Sequence, residues 1–224
     1  STWEERPWVQ RFRDLNAAHD ERMRQFVTDE VPIRSMRVHA AIADQLRPDD
    51  VLVFDGGDYP YFGRATLPAR EPRSWYYLPN LGMLGSAAPV AIAAKLAKPD
   101  SRVFCITGDG AFGFNAMEID TAVRLGLNIV VVLGNDAAWG IDKNLQLGIY
   151  GKAVITDLAP SRYDVMAEGL GAYGELVEQP KDIAPALERA LAAGRPALLN
   201  VMVQSQISPR AQGIVDSRKN KGAF

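Results

Sequence analysis

Asp109 stands in Gly108-Asp109-Gly110, and 27 residues further on the chain reaches Asn135-Asp136, directly after the apolar run 129–133. Both carboxylates fall where an apolar run gives way to a loop, the place at which open parallel sheets present their ligands. Two hard oxygen donors so placed suit a divalent cation such as Mg2+, with the carbonyl of Ala138 completing the shell. Glycines near those ends, Gly57, Gly108 and Gly110, let backbone N–H groups approach phosphate oxygens without an intervening Cβ. The chemistry implied is a cation that offsets the charge of a diphosphate held beside two carboxylates. Each motif alone has a plainer reading, Asp109 as a helix N-cap and Asn135-Asp136 as a surface turn. Their joint placement at two strand ends, with a helix between, favours the metal–diphosphate site. The sequence contains neither Gly-x-x-x-x-Gly-Lys-Ser/Thr nor Gly-x-Gly-x-x-Gly after a strand, which disfavours ordinary nucleotide or dinucleotide binding.

The elements that must position these residues follow from the apolar pattern. Residues 51–54, 102–106, 128–133 and 197–203 read as strands, and 35–46, 87–97, 115–124, 161–170 and 181–192 as helices. Strands that are unbroken apolar runs, alternating with helices, predict a three-layer α/β/α domain around a central parallel sheet. Residues 55–58 and 81–85 read as glycine turns, and 137–159 as a loop. The expected organisation is an N-terminal arm or linker over 1–33, a diphosphate-binding domain over 34–204, and a tail or lid over 205–224.

The bulk numbers exclude other classes. With 224 residues, 47% hydrophobic and 23% charged, the chain can bury one sizeable core. A net charge of −2 leaves no electrostatic footprint for nucleic acid, and no apolar stretch is long enough to span a bilayer. Cys105 is the only cysteine and lies inside an apolar run, which reads as an inert buried thiol and fits a reducing cytoplasm. His19 and His39 lie in polar, helix-like surroundings without metal-ligand spacing and read as incidental.

Gly108-Asp109-Gly110, a helix, a strand and Asn135-Asp136 together resemble the thiamine-diphosphate motif of the pyruvate decarboxylase and acetolactate synthase superfamily. The resemblance spans nearly the whole chain, as the C-terminal diphosphate-binding domain of such enzymes. Ala111-Phe112-Gly113-Phe114-Asn115-Ala116-Met117-Glu118, the run from Asp55-Gly56-Gly57-Asp58 to Gly63-Arg64, and the Trp-containing charged arm are similar to the branch of 2-hydroxyacyl-CoA lyase and oxalyl-CoA decarboxylase. The resemblance implies a thiamine-diphosphate-binding fold in which Asp109, Asp136 and the Ala138 carbonyl bind Mg2+. It also implies that Gly110 and Ala111 meet the diphosphate, that the Gly82 carbonyl meets the aminopyrimidine, and that Leu84 bends the cofactor. Trp139 would pack near the cofactor or fill the core, and Tyr150 and Ser208 would line a pocket or belong to packing and surface. For the lyase branch, a 2-hydroxyacyl-CoA would split into an aldehyde or ketone plus formyl-CoA, or form from them. The cations of the tail would meet CoA phosphates, or else belong to a plain solvated tail.

Two departures from the family pattern stand out. The second metal position is usually Asn, and here it is Asp136. The family's activating glutamate belongs to a separate pyrimidine-binding domain, which this sequence lacks along with the middle domain. Ser1 fits a start after loss of an initiator methionine. The expectation is therefore a small subunit whose larger partner, in a heterotetramer, supplies the pyrimidine-binding and middle domains, with a fragment of a longer enzyme as the alternative.

Overall fold

In the computed structural model, which describes residues 6–77 and 82–220, six parallel strands form one sheet. The strands are β1 (Val51–Phe54), β2 (Trp75–Tyr77), β3 (Val103–Gly108), β4 (Ile129–Asn135), β5 (Tyr173–Val177) and β6 (Ala197–Met202). Their order is β2-β1-β3-β4-β6-β5. The central strands β3 and β4 are buried almost end to end, as continuous Val/Ile/Leu runs require when both faces are covered.

The helices are α1 (Pro7–Arg24), α2 (Ser35–Gln45), α3 (Asp58–Thr66), α4 (Ala87–Ala97), α5 (Asp109–Gly113), α6 (Glu118–Arg124), α7 (Gly140–Tyr150), α8 (Tyr163–Gly169), α9 (Ile183–Ala192) and α10 (Pro209–Asn220). On one face, Val38 and Ile42 of α2, Tyr59 of α3 and Ile183 and Leu187 of α9 pack on Phe54, Phe104, Val132 and Leu199. On the other face, Ala87 and Ala91 of α4, Ile119 and Ala122 of α6 and Ala167 of α8 pack on Val53, Cys105 and Val131. Two apolar clusters separated by the sheet make the three-layer α/β/α architecture expected from the sequence. Cys105 is fully buried, also as expected. No helix among the described residues is long and apolar enough to cross a membrane.

Several elements depart from the sequence reading. The turn expected at 55–58 leads into α3, whose Pro60 and Gly63 obscure the helical pattern. Gly63 is needed there because a Cβ would stand 3.0 Å from the His39 ring. His39 itself is not in polar surroundings: it is 1% exposed, and its Nε2 lies 2.9 Å from the Tyr59 carbonyl oxygen. The loop expected over 137–159 contains α7, and the tail or lid expected over 205–224 contains α10. These two helices pack together, with Gly148 so close to Val215 that a Cβ would meet its Cγ2 at 2.6 Å. The edge strands β2 and β5 are short, and Gly174 interrupts the apolar pattern of the latter. Of the glycine turn read over 81–85, Leu81 lies outside the described residues, as do the first five residues of the arm and the last four of the tail.

Candidate functional site

Three neighbouring strands deliver acidic residues at their carboxyl ends: β1 leads to Asp55, β3 to Asp109 and β4 to Asp136. Because β3 and β4 pair with Gly108 opposite Gly134, Asp109 and Asp136 leave the sheet side by side. They share the wall of a cleft of about 440 Å³, together with Gly57, Leu84, Gly108, Gly110, Ala111, Ala138 and Trp139. Nine residues singled out from the sequence thus converge on one concavity. A second hollow of about 500 Å³, bordered by Phe114, Leu158 and Tyr163, shares Asp109, Gly110 and Trp139 with the first.

Close approach explains the glycines here. A Cβ on Gly110 would meet the Trp139 ring at 2.8 Å, and one on Gly140 would meet Asp136 Oδ2 at 2.6 Å. Leu84 lies over Gly56, where a Cβ would stand 2.5 Å from its Cδ2, so its bulk projects across the cleft floor. Tyr59 lies flat against Gly134, where a Cβ would fall 2.4 Å from the ring.

The two carboxyl groups of the pair share a buried, mutually repelling setting. Asp109 is 2% exposed, and burial, followed by the charge of Asp136, pushes its carboxyl up to about 7. Burial raises Asp136 as well. The backbone N–H groups of Gly110 and Ala138 face the Asp109 carboxylate, yet its Oδ2 is buried without a hydrogen-bond partner among the described residues. A buried acceptor left unpaired is costly. A divalent cation at this point would satisfy that oxygen and turn the repulsion between two carboxylates into shared attraction, so the donor set fits Mg2+. Among the described residues no group of three or more His, Cys, Asp or Glu side chains is arranged to hold an ion. Ala138, whose carbonyl is a neutral oxygen donor, borders the same cleft.

Other acids near the cleft have structural work that the sequence does not disclose. Asp55 accepts from the N–H groups of Gly56 (2.9 Å), Gly85 (3.0 Å) and Ala87 (3.3 Å) and from Thr107 Oγ1 (3.3 Å). It thereby ties the end of β1 to the segment that carries Leu84. Asp58 accepts from Asn144 Nδ2 at 3.0 Å and from the Ser208 N–H at 3.1 Å, which joins α3, α7 and the start of α10. The one available sequence signal for Asp55 is its place directly after a strand, the same position held by Asp109.

Three expected site residues stand apart from the cleft wall. Gly82 has φ +57 and leads into the Leu84 segment. Tyr150 ends α7 and is 58% exposed. Ser208 is fully buried and caps α10, accepting from the Ala211 N–H at 3.3 Å.

Residues 55–201 match the family described as "Thiamine pyrophosphate enzyme, C-terminal TPP binding domain". A protein of Mycobacterium bovis named "Probable acetolactate synthase" is 38% identical over 210 residues, covering 92% of this chain and 38% of that protein. "2-hydroxyacyl-CoA lyase 2" of Bos taurus is 32% identical over 203 residues, covering 88% of this chain and 32% of the relative. A solved structure, the Rhodococcus jostii RHA1 thiamine diphosphate-dependent 4-hydroxybenzoylformate decarboxylase, superposes with a TM-score of 0.72 at 24% identity, over 78% of this chain and 33% of that one. The last likeness establishes the fold alone. The chain spans about a third of the length of the relatives it matches.

Proposed function

This chain belongs to the thiamine pyrophosphate enzymes as their C-terminal TPP-binding domain, and we propose that it anchors the cofactor's diphosphate through Mg2+ held by Asp109 and Asp136. The observation that carries this reading is the buried, unpartnered Oδ2 of Asp109 beside a second raised carboxyl group. Asp109 and Asp136 supply the charged ligands and the Ala138 carbonyl a neutral one. Gly110 and Ala111 border the same cleft, where their backbone would receive the diphosphate, and Leu84 presents apolar bulk to it. Trp139, packed on Phe114 with ring centroids 5.6 Å apart, walls the cleft against water. When bound, thiamine diphosphate supplies an electron sink beside a carbonyl carbon, so that a C–C bond there can break or form.

No glutamate borders the cleft among the described residues. The proposal therefore assigns the group that activates the pyrimidine to a larger companion subunit with the pyrimidine-binding and middle domains, assembled as a heterotetramer. The reaction proposed is cleavage or formation of a 2-hydroxyacyl-CoA, with a carbonyl compound and formyl-CoA on the other side. The 111–118 stretch and the lyase relatives support it. Acetolactate-type carboligation or 2-oxoacid decarboxylation is the second reading, favoured by the 38% identity to a protein named as an acetolactate synthase. Assay of the assembled enzyme with a 2-hydroxyacyl-CoA against a free 2-oxoacid separates the two. The binding step is tested first, by thermal unfolding of the chain with Mg2+ and thiamine diphosphate. Stabilisation that requires both is expected; none, in chain and assembly alike, would leave a non-catalytic subunit that retained the fold.

A further inference from the structure

Behind the cleft runs a line of side chains that the proposed function does not use. Asn135 and Asn200 are both 0% exposed, and Asp164 is 3% exposed. Arg162 grips Asp164 through both oxygens, with Nη2 to Oδ2 at 2.6 Å and Nε to Oδ1 at 3.0 Å. Asn200 Nδ2 donates to Asp164 Oδ1 at 3.0 Å and to the Ser161 carbonyl at 3.1 Å. Asn135 Nδ2 donates to Asn200 Oδ1 at 3.1 Å and to the same Ser161 carbonyl at 3.0 Å. Asn135 Oδ1 then accepts from the Ala137 N–H at 3.1 Å.

Every nitrogen and oxygen of the two amides has a partner, and the line has one polarity. An ionised Asp164 only accepts, so Asn200 must turn its NH2 toward it. That leaves Asn200 Oδ1 facing Asn135, which must answer with its own NH2. Asn135 is then left with its carbonyl oxygen aimed at Ala137. Ala137 is a non-glycine residue at φ +51, a conformation that persists only where the surroundings hold it. It lies between Asp136 and Ala138, and its carbonyl is held from the far side by the Leu158 N–H at 2.7 Å.

We propose that Asp164, Asn200 and Asn135 are positioning residues whose directed hydrogen bonds fix the left-handed turn at Ala137 and so aim Asp136 and Ala138 at the cation site. This rests on the proposed metal–diphosphate reading of that site. The carboxylate at the protected end sets the sense of the line, and the turn is what it delivers. Partners that orient metal ligands in this way carry about ten- to a hundred-fold in metal affinity.

The test is calorimetric binding of Mg2+ with thiamine diphosphate to the full chain. Asn200→Asp faces a carboxylate with another carboxylate and with the Ser161 carbonyl, and should weaken binding about ten- to a hundred-fold. The double variant Asn200→Asp/Asp164→Asn exchanges the two groups, so that the amide now at position 164 donates to the carboxylate now at position 200. It should recover part of the loss. Ile183→Val, a buried change on the opposite face, should lower stability without changing affinity, which separates positioning from general loosening. Should Asn200→Asp fail to fold, the wild-type side-chain NH2 resonances of Asn135 and Asn200 provide the second reading, and both should shift when ligand saturates. Binding by Asn200→Asp equal to wild type, or unmoved side-chain NH2 resonances while the backbone N–H resonances of Asp109 and Asp136 shift, would overturn the inference alone. Absence of binding by wild type, in chain and assembly alike, would overturn the site reading and this inference with it.

Discussion

Replacing Asp109 by asparagine should make the ligand-free chain more stable while removing its capacity for the metal. Burial and the neighbouring Asp136 move the Asp109 carboxyl from 3.8 to about 7 in the folded state. The native state therefore holds this proton more tightly than the unfolded chain does. The sign follows: stability contributed by the protonated group is intact below pH 3.8, declines as pH rises through the interval to 7, and is fully lost above it. A displacement of that size corresponds to about 4 kcal/mol at pH 8, a cost that belongs to the pair. In Asp109→Asn the new side chain can keep its carbonyl oxygen on the Gly110 and Ala138 N–H groups and turn its NH2 toward Asp136, which removes most of that cost. At pH 8 the variant should gain roughly 2–4 kcal/mol, or about 5–15 °C in Tm for a domain of this size. At pH 4 the two proteins should unfold together. Adding Mg2+ and thiamine diphosphate should reverse the order at pH 8, because wild type alone gains a ligand. Calorimetric scans across pH 4–8, with and without ligand, report both effects. Equal Tm values at pH 8, or a gain by wild type that does not grow with Mg2+, would refute the idea that the two acids form a strained, cation-seeking pair.

Three further outcomes follow from the same geometry. Burial holds neutral His39 down at about 4 against an ordinary 6.5, so its contribution is complete above pH 6.5 and lost as pH falls toward 4. His39→Gln should remove about 3 kcal/mol of acid sensitivity across that interval, read from urea midpoints at pH 7 and pH 4; an unchanged acid profile would show that His39 is not the titrating group. Gly140→Ala introduces a Cβ 2.6 Å from Asp136 Oδ2, the far end of a side chain that can turn aside. Mg2+ affinity should fall about tenfold, as for other disturbed ligand supports, without loss of ligand-free stability; the reverse pattern would show that Asp136 is not held where the structure has it. Gly134→Ala drives a methyl into the Tyr59 ring at 2.4 Å and should cost about 2–3 kcal/mol in denaturant unfolding. A loss under about 0.5 kcal/mol, the range of a neutral surface change, would mean that Tyr59 is free to move.

The parts legible in the sequence are those with a strong local signal. Val103–Gly108 and Ile129–Asn135 contain long apolar runs that a doubly covered strand explains, and the acids that follow them emerge at one edge of the sheet. Helix α7 leaves no such trace because none of its residues is buried, so its register is set by α10 and by the Asn144–Asp58 hydrogen bond rather than by a core-facing stripe. Helix α10 is hidden for a similar reason: Ala211 and Val215 are the two buried apolar side chains that seat it. The roles of Asp55 and Asn135 depend on partners that the fold brings to them, for Asp55 an N–H from as far as 32 residues along the chain. No spacing rule indicates them. His39 is flanked in sequence by Val38 and Ala40, and in the fold the aromatic ring of Tyr59, 4.8 Å away, completes an apolar environment.

The pairing of Gly108 with Gly134 across β3 and β4 fixes more than a register. The separation of Asp109 from Asp136 is set by the spacing of adjacent strands and owes nothing to the lengths of the segments above it. Surface excursions can therefore be lengthened, shortened or rewritten to suit new chemistries while the two acids keep their separation.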